Sequence, residues 1–409
     1  MNTNERQQLR KLASAWMELA SQPIMSERRR LWTALHDLRG ERPMVLFETA
    51  LLENYIESSE LICQQPFLRS IELRMRRMIR HAEEVGDDIA VPAFFRVYWE
   101  INWPGFGVPL YADHATDGTG GEIGYIYNHP VKTPADIDKL HRRSWLVDRA
   151  STLAHYGQLQ DCFGDILPVV LHGTGGLFAG LTQDLFKLIG NDNLLAWTYD
   201  EPDSLHRIMR YLTDDRLAYF DWLESEALLG FNHTGWELVG SGSPGCTTSL
   251  PQDVDSAKVR QRDVWIWMES QETTMISPGM FAQFFLPYMA ELCSRFGLIY
   301  YGCCEPVHDR WDLIKSQIPH IRSVSISPWC DKNIMAEKLG RTGVFSRKPR
   351  PWPISETVPD WDALQQDIDE TYDAARDCNL EFIYRDVYRI ADRHRLRTWT
   401  DLVRSRVGI

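Results

Sequence analysis

Short apolar runs alternate with amphipathic helical stretches along most of this chain, and that alternation constrains the fold more than any other feature of the sequence. Nine segments read as strands, at 42–48, 89–99, 167–173, 231–238, 264–268, 298–304, 323–327, 343–346 and 380–384, with helical periodicity between most of them. Parallel pairing through right-handed crossovers follows from such a repeat. This many units favours a closed (β/α)8 TIM barrel over an open sheet. A doubly wound nucleotide fold is disfavoured, because no glycine-rich dinucleotide loop follows the first strand. The turn His172-Gly173-Thr174-Gly175-Gly176 lacks both that spacing and a Walker lysine. Residues 1–40 read as helices, with Leu9, Leu12, Trp16 and Leu19 on one face and Leu31, Leu35 and Leu38 on another. The expected organisation is therefore an N-terminal helical extension, 1–40, and one barrel, 41–409.

Charge and cysteine content exclude several function classes. A formal net charge of −13 repels phosphates and argues against a nucleic-acid or anionic-membrane surface. No apolar run approaches the roughly 20 residues that span a bilayer, and no leader pattern opens the chain. Cytoplasm is the default expectation. Eight cysteines in 409 residues are too sparse for a disulfide scaffold, and the adjacent Cys303 and Cys304 make a poor structural bridge. Free thiols are expected. His36, His141, His155, His206 and His394 fall on predicted helices and read as solvated.

In a barrel, chemistry sits where strands exit into their following loops. The strand reading thus nominates Glu48, Arg96, Tyr98, His172, His233, Glu237, Glu269, Gln271, Cys303, Cys304, Glu305, Ser327, Cys330, Arg347, Lys348 and Asp386. His172 and His233 suit acid–base work, since imidazole titrates near neutrality. Arg347 and Lys348 suit a substrate carboxylate or phosphate. Arg96, Tyr98, Trp236, Glu237, Gln271 and Ser327 complete the expected substrate contacts, and the Gly/Pro-rich excursion at 102–130 is placed to cover the mouth.

Several stretches resemble the uroporphyrinogen decarboxylase superfamily: His129-Pro130-Val131-Lys132-Thr133-Pro134-Ala135-Asp136, Leu185-Phe186-Lys187-Leu188-Ile189-Gly190 with Asp200-Glu201-Pro202, and Ser277-Pro278-Gly279-Met280-Phe281 with Pro287-Tyr288. The resemblance runs from about residue 40 to the end. The arginine-rich N-terminal signature of the true decarboxylases has no counterpart after Arg42-Pro43, so the likeness is to the corrinoid-linked methyltransferase branch. Those members are known for a zinc site, His-x-Cys at one strand exit and a second Cys at the last. Here the first segment reads Tyr300-Tyr301-Gly302-Cys303-Cys304-Glu305, without the histidine, and the last strand ends at Asp386 instead of a cysteine.

What the resemblance implies is methyl transfer between a small molecule or thiol and a corrinoid carried by a separate protein, because the chain shows no Asp-x-His-x-x-Gly corrinoid signature of its own. Zinc is expected on a replacement ligand set of Cys304, Glu305, Cys330 and Asp386, with Glu237 as a further candidate; thiolates and carboxylates are chemically suitable ligands. Cys304, Glu305, His172 and His233 are the expected catalytic residues, and a homodimer is a family expectation. Two alternatives stand beside it: a metal-free lyase or decarboxylase in which Arg96, Arg347 and Lys348 hold a carboxylate, and a non-catalytic binding protein that keeps the barrel.

Overall fold

The computed structural model describes residues 1–116, 122–174, 176–252 and 258–409. Its centre is a parallel sheet. Eight strands position the site: β1 (Met44–Phe47), β2 (Phe95–Tyr98), β3 (Val169–His172), β4 (Trp265–Met268), β5 (Leu298–Tyr301), β6 (Ile321–Ile326), β7 (Val344–Arg347) and β8 (Asn379–Tyr384). Six of them form one continuous ladder in the order β1-β8-β7-β6-β5-β4, and β2 pairs with β3 separately. All these pairings are parallel.

Both faces of the six-strand arc are buried, as parallel sheets require. Tyr301, Val324, Ile326, Phe345, Phe382 and Tyr384 point outward into the main hydrophobic cluster beneath the helices. The inner face is polar. The Tyr300 hydroxyl donates to Ser346 Oγ at 3.0 Å, Ser346 donates to Glu381, and Ser243 donates to the other oxygen of Glu381 at 3.1 Å, all fully buried. This alternation follows from the two-residue period of a strand.

The expected closed barrel appears as this arc and the β2–β3 pair; a closed ring of strand ladders is not present among the described residues. Side chains and single bridges occupy the two seams. At the free edge of β1, Asp88 Oδ2 accepts from the Val45 amide and Asp87 Oδ2 from the Phe47 amide, at 2.9 and 2.8 Å. At the free edge of β4, the Asn232 side chain bonds both the amide and the carbonyl of Trp265, while Trp267 bonds Leu177 and Ala179 through its backbone. Thr174 in turn bridges to the 228–230 segment. The irregular strand expected at 231–238 is a short antiparallel pair, Leu238–Gly240 with Ser243–Pro244.

Two helices precede the sheet, α1 (Thr3–Ala20) and α2 (Pro23–His36). They are built into the body. Trp16 Nε1 donates to the Pro92 carbonyl and Trp32 Nε1 to the Asp88 carbonyl, at 2.7 and 2.8 Å. His36, expected to be solvated, is completely buried with its Nε2 3.7 Å from Glu381. The helix expected over 134–155 is instead a 3-10 segment (Pro134–Lys139), a short strand (Leu146–Asp148) and a helix (Arg149–Phe163). It breaks because Arg143 is drawn into a buried ion pair with Asp215 and residues 146–148 pair with 100–102. Among the described residues, no helix is long and apolar enough to cross a membrane.

Asp88 joins four distant parts of the chain. Besides Val45 and Trp32, it accepts a two-pronged hydrogen bond from Arg42 at 2.9 Å and one from Arg404 at 2.8 Å. Burial works to raise its pKa, but Arg42 and Arg404 outweigh it and hold the carboxyl below its usual value. Asp88→Ala, which strands two arginines and an amide, is expected to cost about 3–5 kcal/mol of unfolding free energy at neutral pH. The depressed folded pKa makes this contribution complete above the unfolded value of about 3.9. It is lost as pH falls through the folded pKa. Chemical denaturation of wild type and variant across that range should show the gap closing on the acid side.

Candidate functional site

The exits of β2 and β3 bring Arg96, Tyr98 and His172 against the 235–237 segment. Arg96 Nη1 lies 2.7 Å from Glu237 Oε1 and donates to the Trp236 carbonyl at 2.8 Å, while the Tyr98 hydroxyl donates to the same carboxylate oxygen at 2.7 Å. His172 stacks on Tyr98 with ring centroids 6.1 Å apart, its Nε2 4.0 Å from Glu237. Two glycines permit this packing. A β-carbon at Gly235 would sit 2.2 Å from Arg96 Nη2, and one at Gly230 would sit 2.2 Å from His172 Nδ1. Burial raises the Glu237 pKa against the opposing charge of Arg96. Burial, then Arg96, pushes His172 down to about 4, so its imidazole is neutral at pH 7.

A second group forms where β5, β7, β8 and β1 end. Cys303 and Cys304 Sγ are 3.7 Å apart. Arg385, two residues beyond Ile383 on the inner face of β8, places Nε 3.1 Å from Glu48 and 3.2 Å from Asp386, and donates to Ser241 Oγ at 2.8 Å. Its guanidinium lies 5.6 Å from the centre of the Trp267 ring. Burial works against the Arg385 charge, but Glu48 and Asp386 outweigh it and raise the pKa. The sulfurs share one hydrogen bond in which either can donate; with Cys303 as the donor, that bond lowers Cys304 and, followed by burial, raises Cys303. Lys348 is buried on the same inner face, hydrogen-bonded to Ser346. Burial brings its ammonium down to about 7, against the pull of Glu381.

Two cavities flank these groups, one at each seam. The first, about 430 Å³, lies between β1 and the helix Pro66–Glu84 and is lined by Leu46, Glu48, His81, Ile89, Trp236 and Glu237, among others. The second, about 380 Å³, is lined by Arg96, His172, Gly173, Leu229, Phe231 and Thr234 among others. The Arg96–Glu237 pair therefore contributes one member to each, and Glu48 connects the first cavity to Arg385.

Of the residues nominated from sequence, Arg96, Tyr98, His172, Trp236 and Glu237 are assembled together, and Cys304, Lys348 and Asp386 belong to the second group. Others point elsewhere. His233 is buried with Nε2 2.7 Å from the Pro251 carbonyl. The Arg347 guanidinium is turned outward to Asp367 and the Ile326 and Ser327 carbonyls. Ser327 donates to the Glu305 carbonyl at 3.1 Å. Gln271 sits on the β4 exit loop, its amide bonded to Glu269 and its side chain to Glu272. The excursion at 102–130 contains an antiparallel pair, Ala112–Thr116 with Glu122–Tyr127, and Tyr125 is close enough to Tyr388 to influence its ionisation. Residues 117–121 and Gly175 lie outside the described residues. Arg385 was not nominated, although continuing the β8 alternation from Glu381 through Ile383 reaches it.

The proposed zinc ligands are not gathered. Glu305 is buried and accepts from the Ser270 and Cys303 amides, both at 2.8 Å. Cys330 is packed in the main hydrophobic cluster with Sγ 4.0 Å from the Asp331 carbonyl oxygen. Asp331 itself caps the helix Lys332–Leu339. Among the described residues, no group of three or more His, Cys, Asp or Glu side chains is disposed to hold a metal ion. The donor set that zinc needs does not fit this arrangement.

No family model matches the chain, and no curated protein matches it. Among solved structures, a methyltransferase from Methanosarcina mazei aligns with 65% of this chain and 73% of its own at 11% identity, with a TM-score of 0.37. Function is therefore argued from the site's own chemistry.

Lys348 offers a direct check on the electrostatics. With lysines carrying carbon-13 at Cε, one resonance is expected to titrate near 7 and to be missing from Lys348→Met. If every lysine signal titrates near the ordinary value of about 10.4, the buried amine described above is absent.

Proposed function

We propose that the chain is a small-molecule methyltransferase on a uroporphyrinogen decarboxylase-like barrel, with the seams completing the ring, and that it exchanges methyl groups with a corrinoid on a separate protein. One observation carries this proposal: Cys303 and Cys304 stand beside Arg385 at the strand exit where the sequence resemblance puts acceptor-thiol chemistry. The corrinoid, when presented by its partner, supplies the methyl group.

The chain's own residues prepare the acceptor. Cys304, held toward its thiolate by the Cys303 S–H, takes the proton from a small thiol and leaves that thiol as the nucleophile. Arg385 balances the negative charge through the transfer, aided by Lys348 in its protonated form. Glu48 and Asp386 fix the guanidinium in place. Glu237, with Arg96 and Tyr98, orients the remainder of the ligand in the adjoining cavity, and burial keeps water from competing for it. A thiol with a carboxylate tail fits the cations available.

A metal-free lyase or decarboxylase is the second proposal, favoured by Lys348, whose amine near 7 suits proton transfer to a carbanion-like centre. Visible spectroscopy separates the two. Wild-type protein with methylcobalamin and mercaptoacetate, cysteine or glutathione is expected to accelerate loss of the methyl form, and Arg385→Met to slow kcat on the order of 10²–10³-fold with its circular dichroism unchanged. No acceleration with any thiol, together with carbon dioxide release from a small carboxylate, would select the lyase.

A further inference from the structure

Six of the eight cysteines are buried, and the two that are partly exposed are Cys303 and Cys304. Their sulfurs are 3.7 Å apart, one S–H directed at the other. The backbone beneath them is held on several sides. The Cys303 amide donates to Glu305 and its carbonyl accepts from Ser325 Oγ, both at 2.8 Å. The Gly302 amide donates to the Met268 carbonyl at 2.8 Å, and the Gly302 carbonyl accepts from Trp267 Nε1 at 2.9 Å.

Closing an S–S bond of about 2.05 Å between these neighbours forms an eight-membered ring, which needs side-chain rotation together with adjustment of the intervening peptide. Adjacent α-carbons are about 3.8 Å apart, shorter than the roughly 4.4–6.8 Å an ordinary disulfide spans, so the ring is strained. Strained and exposed disulfides are the readily reduced ones. These constraints suit a reversible contact better than a permanent staple.

We propose that Cys303 and Cys304 form a reversible dithiol–disulfide switch worked by small disulfides such as oxidised glutathione. The Cys304 thiolate attacks one sulfur of oxidised glutathione, whose S–S bond breaks and releases one glutathione thiolate. Cys303, giving up its proton to that thiolate, then attacks the Cys304 sulfur of the mixed disulfide and expels the second glutathione. In sum, two protein thiols and one oxidised glutathione become one protein disulfide and two reduced glutathiones. Excess reduced glutathione reverses both steps. Oxidation removes the sulfur proton donor and acceptor from the strand exit, and its effect on methyl transfer rests on the function proposed above.

The test equilibrates the full-length protein in glutathione buffers of rising oxidised fraction, alkylates free thiols, and maps the peptides by non-reducing mass spectrometry. The expected product has lost two hydrogen atoms, carries both cysteines unalkylated in one peptide, and returns to the dithiol with reduced glutathione. Cys303→Ser and Cys304→Ser should each hold a lasting glutathione adduct on the remaining thiol. As a second measurement on reduced wild type, phenylarsine oxide should bind one per chain and protect both thiols together. A lasting adduct on the wild-type pair, alkylation of both thiols at high oxidised fraction, or a bridge to another cysteine overturns the proposal. Reversible closure in a protein without methyl transfer leaves the switch standing and removes the function.

Discussion

Backbone amides at a sheet edge need acceptors, and at the edge of β1 two adjacent carboxylates supply them. Asp87 and Asp88 take the places a neighbouring strand would occupy, and Asp88 is neutralised by Arg42 and Arg404. This substitution leaves the edge of β1 without a neighbouring strand and without orphaned amides at Val45 and Phe47. The larger of the two cavities lies beside that edge. The opposite seam uses Asn232 for the same purpose, and the second cavity adjoins it. Polar side chains that replace ladder hydrogen bonds thus create the spaces in which a ligand can sit.

The site inherits this economy of charge. Glu237 and Glu48 both face the larger cavity, and both are tied to an arginine, Arg96 and Arg385 respectively. Burying such pairs gains little stability overall, but removing one partner is costly because the other is left uncompensated. Their service is positional. Arg385 has the most connections, joining the exits of β1 and β8 while acting on both thiols. The nearby amine of Lys348 is partly discharged by burial, and Arg385 adds to that effect.

Much of the second half of the fold was legible. The strands expected at 298–304, 323–327, 343–346 and 380–384 occur as Leu298–Tyr301, Ile321–Ile326, Val344–Arg347 and Asn379–Tyr384, because local periodicity and turn residues agree there with the tertiary arrangement. The break near Trp145 was hidden, since it depends on Asp215 more than seventy residues away in sequence. At the candidate site, strand exits alone nominated Arg96, Tyr98, His172 and Glu237, which the structure brings into contact. They could not separate Arg347 from Lys348, one facing Asp367 and the other the interior; that distinction lies in the two-residue period counted from Phe345 and Ser346. What replaces ladder pairing at the two sheet edges left no periodic signal, because it consists of the Asp87, Asp88 and Asn232 side chains and isolated backbone bridges.

Arg385 is the positive charge that acts on both members of the thiol pair. The most direct measurement is the pH dependence of alkylation at Cys303 and Cys304 in wild type and Arg385→Met, followed by peptide mass spectrometry. Since the guanidinium favours thiolate at both sulfurs, the half-point for reaction should move to higher pH in the variant. An unchanged profile would mean that Arg385 does not act on these sulfurs, and the proposed strand-exit centre would not exist.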